Sequence, residues 1–188
     1  LFRSLPDPAA LDRYPRETVL RWPVDKDNTD TELALALLAE KGVDETVVVG
    51  GSGGRLDHLF AIRSLFDGPK PPALWISEEN VVVAAGFAGM GEVVEVSGLG
   101  AADPVSVFPA GPGPHACSAD GLHWTLEGLR WDGTAAGPGS GIFSPGAYSL
   151  SNRADGGRFT FSALSGVFLV FLPLVRGLGI VRSRAAGV

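Results

Sequence analysis

The sequence contains very little of the residue types that define several common protein classes. Its 188 residues include a single cysteine, Cys117, and three histidines. One cysteine excludes an intramolecular disulfide, and the histidines do not have the spacing of zinc ligands. We therefore expect a protein of the reducing cytoplasm without a zinc centre.

Clusters of basic residues and long apolar runs are also missing. The formal net charge is −6, and Lys and Arg do not cluster anywhere. Nucleic-acid binders usually present a basic face, so this class is disfavoured. The most apolar run, Ser162–Val175, is too short to span a bilayer and contains Pro173. We expect neither nucleic acid nor membrane as a partner.

Glycine, in contrast, is abundant and concentrated in one loop. Four glycines occur within Gly50–Gly54, between a β-branched run at Val47–Val49 and a helical pattern that begins near Leu56. A strand, tight loop and helix in this order bring backbone N–H groups close to an anion. Arg55 adds a forked donor that suits phosphate. The stretch therefore predicts a phosphate-binding loop.

An acidic turn precedes this loop. Thr29 and Glu32 have the spacing of a capping box, which predicts that a helix begins at Asp30. A carboxylate in the first turn gains about 0.3–1 kcal/mol from the helix dipole, which accounts for Asp30. Asp25 and Asp27 lie outside the helix and beside a strand end, where ligands gather in α/β sheets. For these acids a metal role and a structural role both stay open.

The periodicity of the sequence changes near Asn80. Before it, strands alternate with helices, which predicts an α/β domain with a parallel sheet over residues 1–78. After it, short strands between Gly/Pro turns predict an all-β antiparallel sandwich domain over residues 79–176, followed by a C-terminal tail over 177–188. The predicted sandwich strands are Asn80–Ala85, Glu92–Ser97, Val105–Pro109, Leu122–Leu126, Leu129–Trp131, Gly146–Ser151, Arg158–Ala163 and Val167–Leu172.

The glycine loop also fits a rival interpretation. It matches G-x-S-x-G, the strand-to-helix turn that carries the nucleophile of α/β-hydrolases, with Ser52 at the centre. The acid would be Asp103 or Asp120 and the base His123, all in the predicted sandwich half. That is the wrong architecture for this class, so a serine hydrolase is the less favoured alternative.

Several separated motifs, taken together, identify a family. The order and spacing of these motifs across Trp22–Leu172 resemble the thiamine pyrophosphokinases. The motifs are Lys26–Asp30 (KDNTD), Gly50–His58 (GGSGGRLDH), Gly121–Leu126 (GLHWTL), Leu150–Asn152 (LSN) and Ser165–Val167 (SGV).

The resemblance implies a fold, an activity and a set of partners. Members of the family have an N-terminal α/β domain and a C-terminal β-sandwich, and they work as homodimers. Thiamine binds where the α/β domain of one subunit meets the sandwich of the other. With Mg²⁺, they transfer the pyrophosphoryl group of ATP to thiamine, which gives thiamine diphosphate and AMP.

The resemblance also assigns roles to residues. The implied metal ligands are Asp27 and Asp30, and the implied catalytic residues are Asp27, Asp30, Arg55 and Asp57. The residues implied at the ATP phosphates are Lys26, Thr29, Gly51, Ser52, Gly53 and Arg55. The residues implied at thiamine are Asp57, His58, Ser149, Ser151 and Asn152.

A homodimer is also expected from the apolar content of the sandwich half. Its phenylalanines give more alternating apolar surface than a small sheet can bury alone. They are Phe159, Phe161, Phe168 and Phe171.

One family motif is missing from the sequence. The family carries a further acidic motif, G-D-x-D-S, and often an earlier D-G-G turn, and neither occurs here. We expect either an upstream segment that supplies these residues or, as an alternative function, a non-catalytic protein that binds thiamine and nucleotide.

Overall fold

The computed structural model describes residues 14–15, 19–20, 22–23, 25–89, 91–127 and 148–184, and the predicted strand Leu129–Trp131 lies outside them. The helices are α1 (Asp30–Glu40) and α2 (Leu56–Ser64), and 3-10 turns cover Leu65–Asp67 and Asp155–Gly157. The strands are β1 (Val47–Val49), β2 (Leu74–Ile76), β3 (Asn80–Ala85), β4 (Glu92–Ser97), β5 (Val105–Ala110), β6 (Ala116–Asp120), β7 (Ser149–Asn152), β8 (Arg158–Ser165), β9 (Val167–Pro173) and β10 (Gly179–Arg184). Among the described residues, no helix is long and apolar enough to cross a membrane.

The strands form two sheets. The larger sheet has the order β1-β2-β3-β9-β5-β7, and the smaller sheet has the order β10-β4-β8-β6. Strands β1 and β2 pair in parallel, whereas the other strand pairs within the described part of the chain are antiparallel. The all-β antiparallel part of the predicted fold class is therefore confirmed in outline. Of the predicted parallel α/β domain, the described residues contain one parallel strand pair.

The larger sheet continues across the predicted domain boundary. Strand β2 pairs with β3 in antiparallel register, from Leu74 opposite Val83 to Ile76 opposite Val81. A tight turn joins the two strands, because the Ser77 N–H donates to the Asn80 carbonyl at 2.8 Å. The two halves thus share one sheet, and their independence as domains stays a prediction.

Strand β3 is buried on both faces and separates two apolar cores. Val81, Val83 and Ala85 face the core between the two sheets. Val82 and Ala84 face the opposite side, where α2 packs on the larger sheet through Ile62, Phe66 and Trp75. Because β3 contributes to both cores, it fixes α2, and the loop before α2, against the sandwich.

The phenylalanines of the sandwich half do not provide the surplus apolar surface that the sequence predicted. Phe159, Phe161 and Phe168 are at most 3% exposed, because they fill the core between the two sheets. Phe171 lies on the opposite face of the larger sheet. The apolar content is thus largely buried within one chain, and a homodimer needs a different argument.

Two segments differ from their sequence-based predictions. Leu122–Leu126 was predicted as a strand, but Leu122 forms only an isolated bridge with Ala154. The strand lies earlier, at Ala116–Asp120, where it pairs with β8. Gly179–Arg184 pairs with β4 instead of forming a tail. The two strands that the sequence did not predict are the outer strands of the smaller sheet, and their apolar and polar residues alternate only weakly. They are strands because a neighbouring strand pairs with their backbone.

Helix α1 begins at the predicted capping box. The Thr29 Oγ1 accepts the Glu32 N–H at 3.2 Å, and a Glu32 carboxylate oxygen accepts the Thr29 N–H at 2.6 Å. We expect Thr29→Ala to lower the free energy of unfolding by about 1 kcal/mol, because a helix donor loses its partner. Thr29→Ser should retain most of the stability. Urea denaturation of both variants checks this, and equal losses would contradict a role for the hydroxyl.

Candidate active site

A cavity of about 300 Å³ lies between the start of α1, the glycine loop and α2. It brings together two motifs that are more than twenty residues apart in sequence. The residues predicted at the site that line it are Lys26, Thr29, Asp30, Gly51, Gly53 and His58. The tertiary structure therefore joins the acidic turn and the glycine loop in one cleft.

The glycine loop is held against the sheet at its first residue. The Gly50 N–H donates to the Ile76 carbonyl at 2.8 Å, and the Trp75 indole N–H donates to the Gly50 carbonyl at 2.7 Å. Gly51 has φ of 77°, and a Cβ there would overlap the Ile62 side chain. The positive φ favours glycine at this position, and a larger residue would also displace the end of the Ile62 side chain.

A lysine and an aspartate form an ion pair at the first turn of α1. The Lys26 Nζ lies 2.5 Å from the Asp30 Oδ1, and the Asp30 side chain is 66% exposed. An exposed pair of this kind contributes about 0–1 kcal/mol. Both groups can therefore exchange partners at low cost when a charged ligand arrives. Asp27, two residues before the helix cap, is exposed as well.

Arg55 and Asp57 form a second ion pair at the start of α2. The Arg55 guanidinium donates two hydrogen bonds to the Asp57 carboxylate, and Nε lies 3.0 Å from Oδ1. The hydrogen bond from Arg55 holds the pKa of the Asp57 carboxyl below its usual range, and the same bond raises the pKa of Arg55. Both groups stay charged at neutral pH, and both are exposed beside the cavity that His58 lines.

Sequence reasoning missed part of the cavity wall. The missed residues are Asn28, Thr31, Ala61, Ile62 and Leu65. Three of them follow His58 at helical spacings of three, four and seven residues, which places them on one face of the chain from α2 into its 3-10 turn. That spacing was the signal that could have identified them.

The residues predicted at thiamine divide between two places. Asp57 and His58 lie on α2, whereas Ser149, Ser151 and Asn152 lie on β7. Strands β1 and β7 are the two outer strands of the larger sheet. Helix α2 does not follow the β1 edge, because its Arg63 donates to the Pro109 carbonyl of β5, the neighbour of β7, at 3.2 Å. The two groups thus lie on different elements, and a single site that contains both stays a prediction.

Two residues of β7 have distinctive local structures. Ser151 has φ of 57°, in the left-handed region that residues other than glycine rarely adopt. Its N–H donates to the Ser106 Oγ at 3.1 Å. Asn152 is 1% exposed, and its amide bonds the Trp124 main chain through Oδ1 at 3.1 Å and Nδ2 at 2.8 Å. Asn152 thus anchors the GLHWTL motif, while a contact with thiamine stays a prediction.

The geometry of the hydrolase alternative is unfavourable. Ser52 follows β1, and its Oγ accepts the Glu78 N–H at 3.3 Å. His123 is held near the other edge of the sheet, where its N–H donates to the Arg153 carbonyl at 2.9 Å. Because β1 and β7 are opposite edges, Ser52 and His123 do not form a catalytic pair within the described chain.

The cavity can be tested for its fit to a divalent cation. Within the described ranges, no three His, Cys, Asp or Glu side chains gather as a metal cage. Mg²⁺ usually takes one or two carboxylates and completes its shell with water and phosphate oxygens. Asp30 lines the cavity and its exposed carboxylate fits such an open site, whereas Asp27 is exposed but does not line the cavity. The donor chemistry therefore suits Mg²⁺ that arrives with a phosphorylated substrate.

Comparison with known proteins gives one family and a shared fold. Residues 8–68 match the family model described as thiamin pyrophosphokinase, catalytic domain. No curated protein matches the chain.

Solved structures of several bacterial proteins are similar. The thiamin pyrophosphokinase from Geobacillus thermodenitrificans is 22% identical, with a TM-score of 0.59, 90% of this chain covered and 72% of that one. The thiamine pyrophosphokinase from Bacillus subtilis is 23% identical, with a TM-score of 0.54, and the match covers 81% of this chain and 66% of that one. A thiamin pyrophosphokinase family protein from Enterococcus faecalis is 20% identical, with a TM-score of 0.59, and the match covers 85% of this chain and 70% of that one.

These values define what the comparisons support. The chain spans about two thirds of the Bacillus subtilis protein. At such low identities, the structural likeness shows a common fold. The family match lies on the segment that contains the acidic turn and the glycine loop. The match and the shared fold together confirm that this chain resembles the thiamin pyrophosphokinase family.

Proposed function

We propose that the protein is a thiamin pyrophosphokinase, which transfers the pyrophosphoryl group of ATP to thiamine and releases AMP. The observation that carries the proposal is the cavity that joins the acidic turn to the glycine loop, inside the segment that matches the catalytic domain. Transfer of this kind requires dense negative charge to be neutralised and two reactants to be aligned. The residues around the cavity suit both tasks.

The first task falls to the cationic and N–H groups of the cavity. Lys26 and Arg55 would leave their present carboxylate partners and bind phosphate oxygens, with help from the N–H groups of the glycine loop. Thr29, Gly51, Ser52 and Gly53 would line the phosphate path. Asp27 and Asp30 would hold Mg²⁺, which neutralises phosphate charge when bound.

The second task falls to residues on α2 and β7. Asp57 and His58 would face the junction with thiamine, and an anionic carboxylate suits this cationic substrate. Ser149, Ser151 and Asn152 would contact the pyrimidine of thiamine. Because the family resemblance implies a site shared between subunits, and β7 is an outer strand of its sheet, we propose that β7 of a second copy completes each site.

The activity is tested with the protein, ATP, Mg²⁺ and thiamine. Thiamine diphosphate and AMP, resolved by chromatography, are the expected products. Release of ADP or free phosphate instead would overturn the proposal. Binding of both substrates without product would favour the alternative of a non-catalytic binding protein.

The shared site makes a prediction for mixed subunits. Asp57→Asn and Ser151→Gly should each be nearly inactive, since each removes one half of every site. Glycine keeps the positive φ at position 151 accessible, so this variant should fold. After random exchange, about half of the dimers are mixed and each has one intact site, so about a quarter of wild-type activity should return. An active monomer, or dimers that never complement, would contradict the shared site.

A further inference from the structure

Two charged side chains fasten the end of α2 to the sandwich half. The Arg63 Nη1 donates to the Asp67 Oδ2 at 2.7 Å, which joins the last turn of α2 to the 3-10 turn that follows it. The Arg63 Nη2 donates to the Pro109 carbonyl at 3.2 Å, and the Asp67 Oδ1 accepts the Gly111 N–H at 2.7 Å. The pair thus bonds the backbone on both sides of Ala110, where β5 ends. We call Arg63 and Asp67 the α2–β5 clamp.

Both members of the clamp are charged at neutral pH. Partial burial acts to raise the pKa of the Asp67 carboxyl, but the hydrogen bonds from Arg63 and from the Gly111 N–H lower it by more. Arg63 keeps its charge because a guanidinium does not lose its proton in proteins. Hydrogen bonds with a charged partner are shorter and stronger than those between neutral groups. The clamp therefore differs from an ordinary surface ion pair, since each member also bonds the backbone of a distant strand.

Apolar packing beside the clamp holds α2 on the sheet without fixing its exact place. Phe66 lies between the two clamp residues in sequence, is 1% exposed and shares a core with Ile62 and Ala110. Apolar attraction has no preferred direction, and packed helices can slide by small amounts. Hydrogen bonds do have a preferred direction. The clamp therefore supplies the contacts that fix the position of α2 along β5.

The clamp lies between the two groups of residues predicted at thiamine. Helix α2 carries Asp57 and His58, and β7 carries the other three. Strand β5 pairs with β7, and the Ser106 Oγ of β5 accepts the Ser151 N–H of β7 at 3.1 Å. The clamp thus connects α2 to β7 through one intervening strand. In a two-fold dimer, α2 would reach the partner's β7 from its own sandwich half, so its place on β5 sets the shared site as well.

The phosphate side of the cavity has separate anchors. The glycine loop is bonded to β2 through Gly50, and the Ser52 Oγ accepts the Glu78 N–H of the next turn at 3.3 Å. The loop does not fix the helix in turn, because the glycines that separate the first anchor from α2 leave its backbone pliable. Loss of the clamp should therefore displace α2 and leave the phosphate-binding part of the loop in place.

We propose that Arg63 and Asp67 are positioning residues, which hold α2 where Asp57 and His58 can meet thiamine. They act through the helix and not by contact with a substrate. This inference rests on the proposed function, because the position of α2 matters for thiamine only if α2 and β7 contribute to one site.

Steady-state kinetics of the full chain test this role, with thiamine varied at saturating ATP and ATP varied at saturating thiamine. Arg63→Met keeps the apolar stem of the side chain, and Asp67→Ala removes both carboxylate bonds. Each variant should raise the KM of thiamine about tenfold and change the KM of ATP less than about twofold, because only the thiamine side loses its alignment. The double variant should resemble either single variant, since the two residues act as one unit.

Two further variants separate positioning from a general loss of structure. Asp67→Asn keeps an oxygen that can accept the Gly111 N–H, so it should fold and recover part of the thiamine KM that Asp67→Ala loses. Arg184→Met is the matched control. Arg184 also donates to a backbone carbonyl, that of Ala88 at 2.8 Å, but it lies on β10 of the smaller sheet. This variant should leave the KM of both substrates unchanged.

The outcomes distinguish this inference from the proposed function. If thiamine diphosphate forms and the clamp variants keep the wild-type KM of thiamine, the positioning role is overturned and the proposed function stands. Equal rises in the KM of thiamine and of ATP would also overturn it, because they indicate a general disturbance of the site. If the wild type forms no thiamine diphosphate, the proposed activity and this inference both fail.

Discussion

Asp30→Asn should lower turnover about 100-fold or more and change the free energy of unfolding by at most about 1 kcal/mol. The structural roles of this carboxylate are small, since it complements the dipole of α1 and pairs with Lys26 at 2.5 Å on an exposed surface. Its proposed role at Mg²⁺ and the phosphates is large, because charge neutralisation in the transition state depends on it. Initial rates across a Mg²⁺ titration, with thermal melts of the metal-free protein, measure both effects.

Glu32→Gln is the matched control for this prediction. Glu32 lies in the same helical turn, and its carboxylate accepts the Thr29 N–H at 2.6 Å outside the cavity wall. We expect a comparable change in stability and a nearly unchanged rate. If Asp30→Asn also keeps its rate at limiting Mg²⁺, Asp30 has only a structural role and the acidic turn loses its catalytic assignment.

Arg182→Met should lower the free energy of unfolding by about 3–5 kcal/mol, a large part of the stability of a typical domain. Arg182 lies on β10, and its Nη2 donates to the Ala73 and Ala84 carbonyls at 2.8 Å each. Its Nη1 lies 3.4 Å from the carboxylate of Glu92, a residue that is 2% exposed. Burial lowers the pKa of Arg182, and the carboxylates of Glu92 and Glu45 offset this in part.

The size of this loss follows from what remains after the substitution. The Glu92 carboxylate still accepts the Gly86 N–H at 2.7 Å, but its charge stays buried without a cation. Adding Glu92→Gln to Arg182→Met should therefore recover part of the lost stability. Arg184→Met is the control on the same strand, since Arg184 donates to the Ala88 carbonyl from an exposed position.

Urea denaturation at neutral pH measures these differences. We expect the order of stability to be wild type, Arg184→Met, the double variant and then Arg182→Met. A value for Arg182→Met within about 1 kcal/mol of the wild type would mean that the buried pair contributes little net stability.

The sequence alone determined the elements whose signals are local. The capping box at Thr29 and Glu32 placed the start of α1, and the glycine loop placed the turn between β1 and α2. Continuous apolar runs marked β3 and β9, because strands buried on both faces leave no polar alternation. These signals depend on neighbours within a few residues, so they can be read without the fold.

The tertiary structure decided which of these elements meet. The weakly patterned strands β6 and β10 exist because β8 and β4 offer partners for their backbone groups. One group of predicted thiamine residues lies on α2 and the other on the outer strand β7, because long-range pairing sets the strand order. The cavity of the candidate active site and the Arg182–Glu92 pair likewise join residues far apart in sequence. Local sequence encodes how each segment can be buried, whereas packing over the whole chain selects the partner against which it is buried.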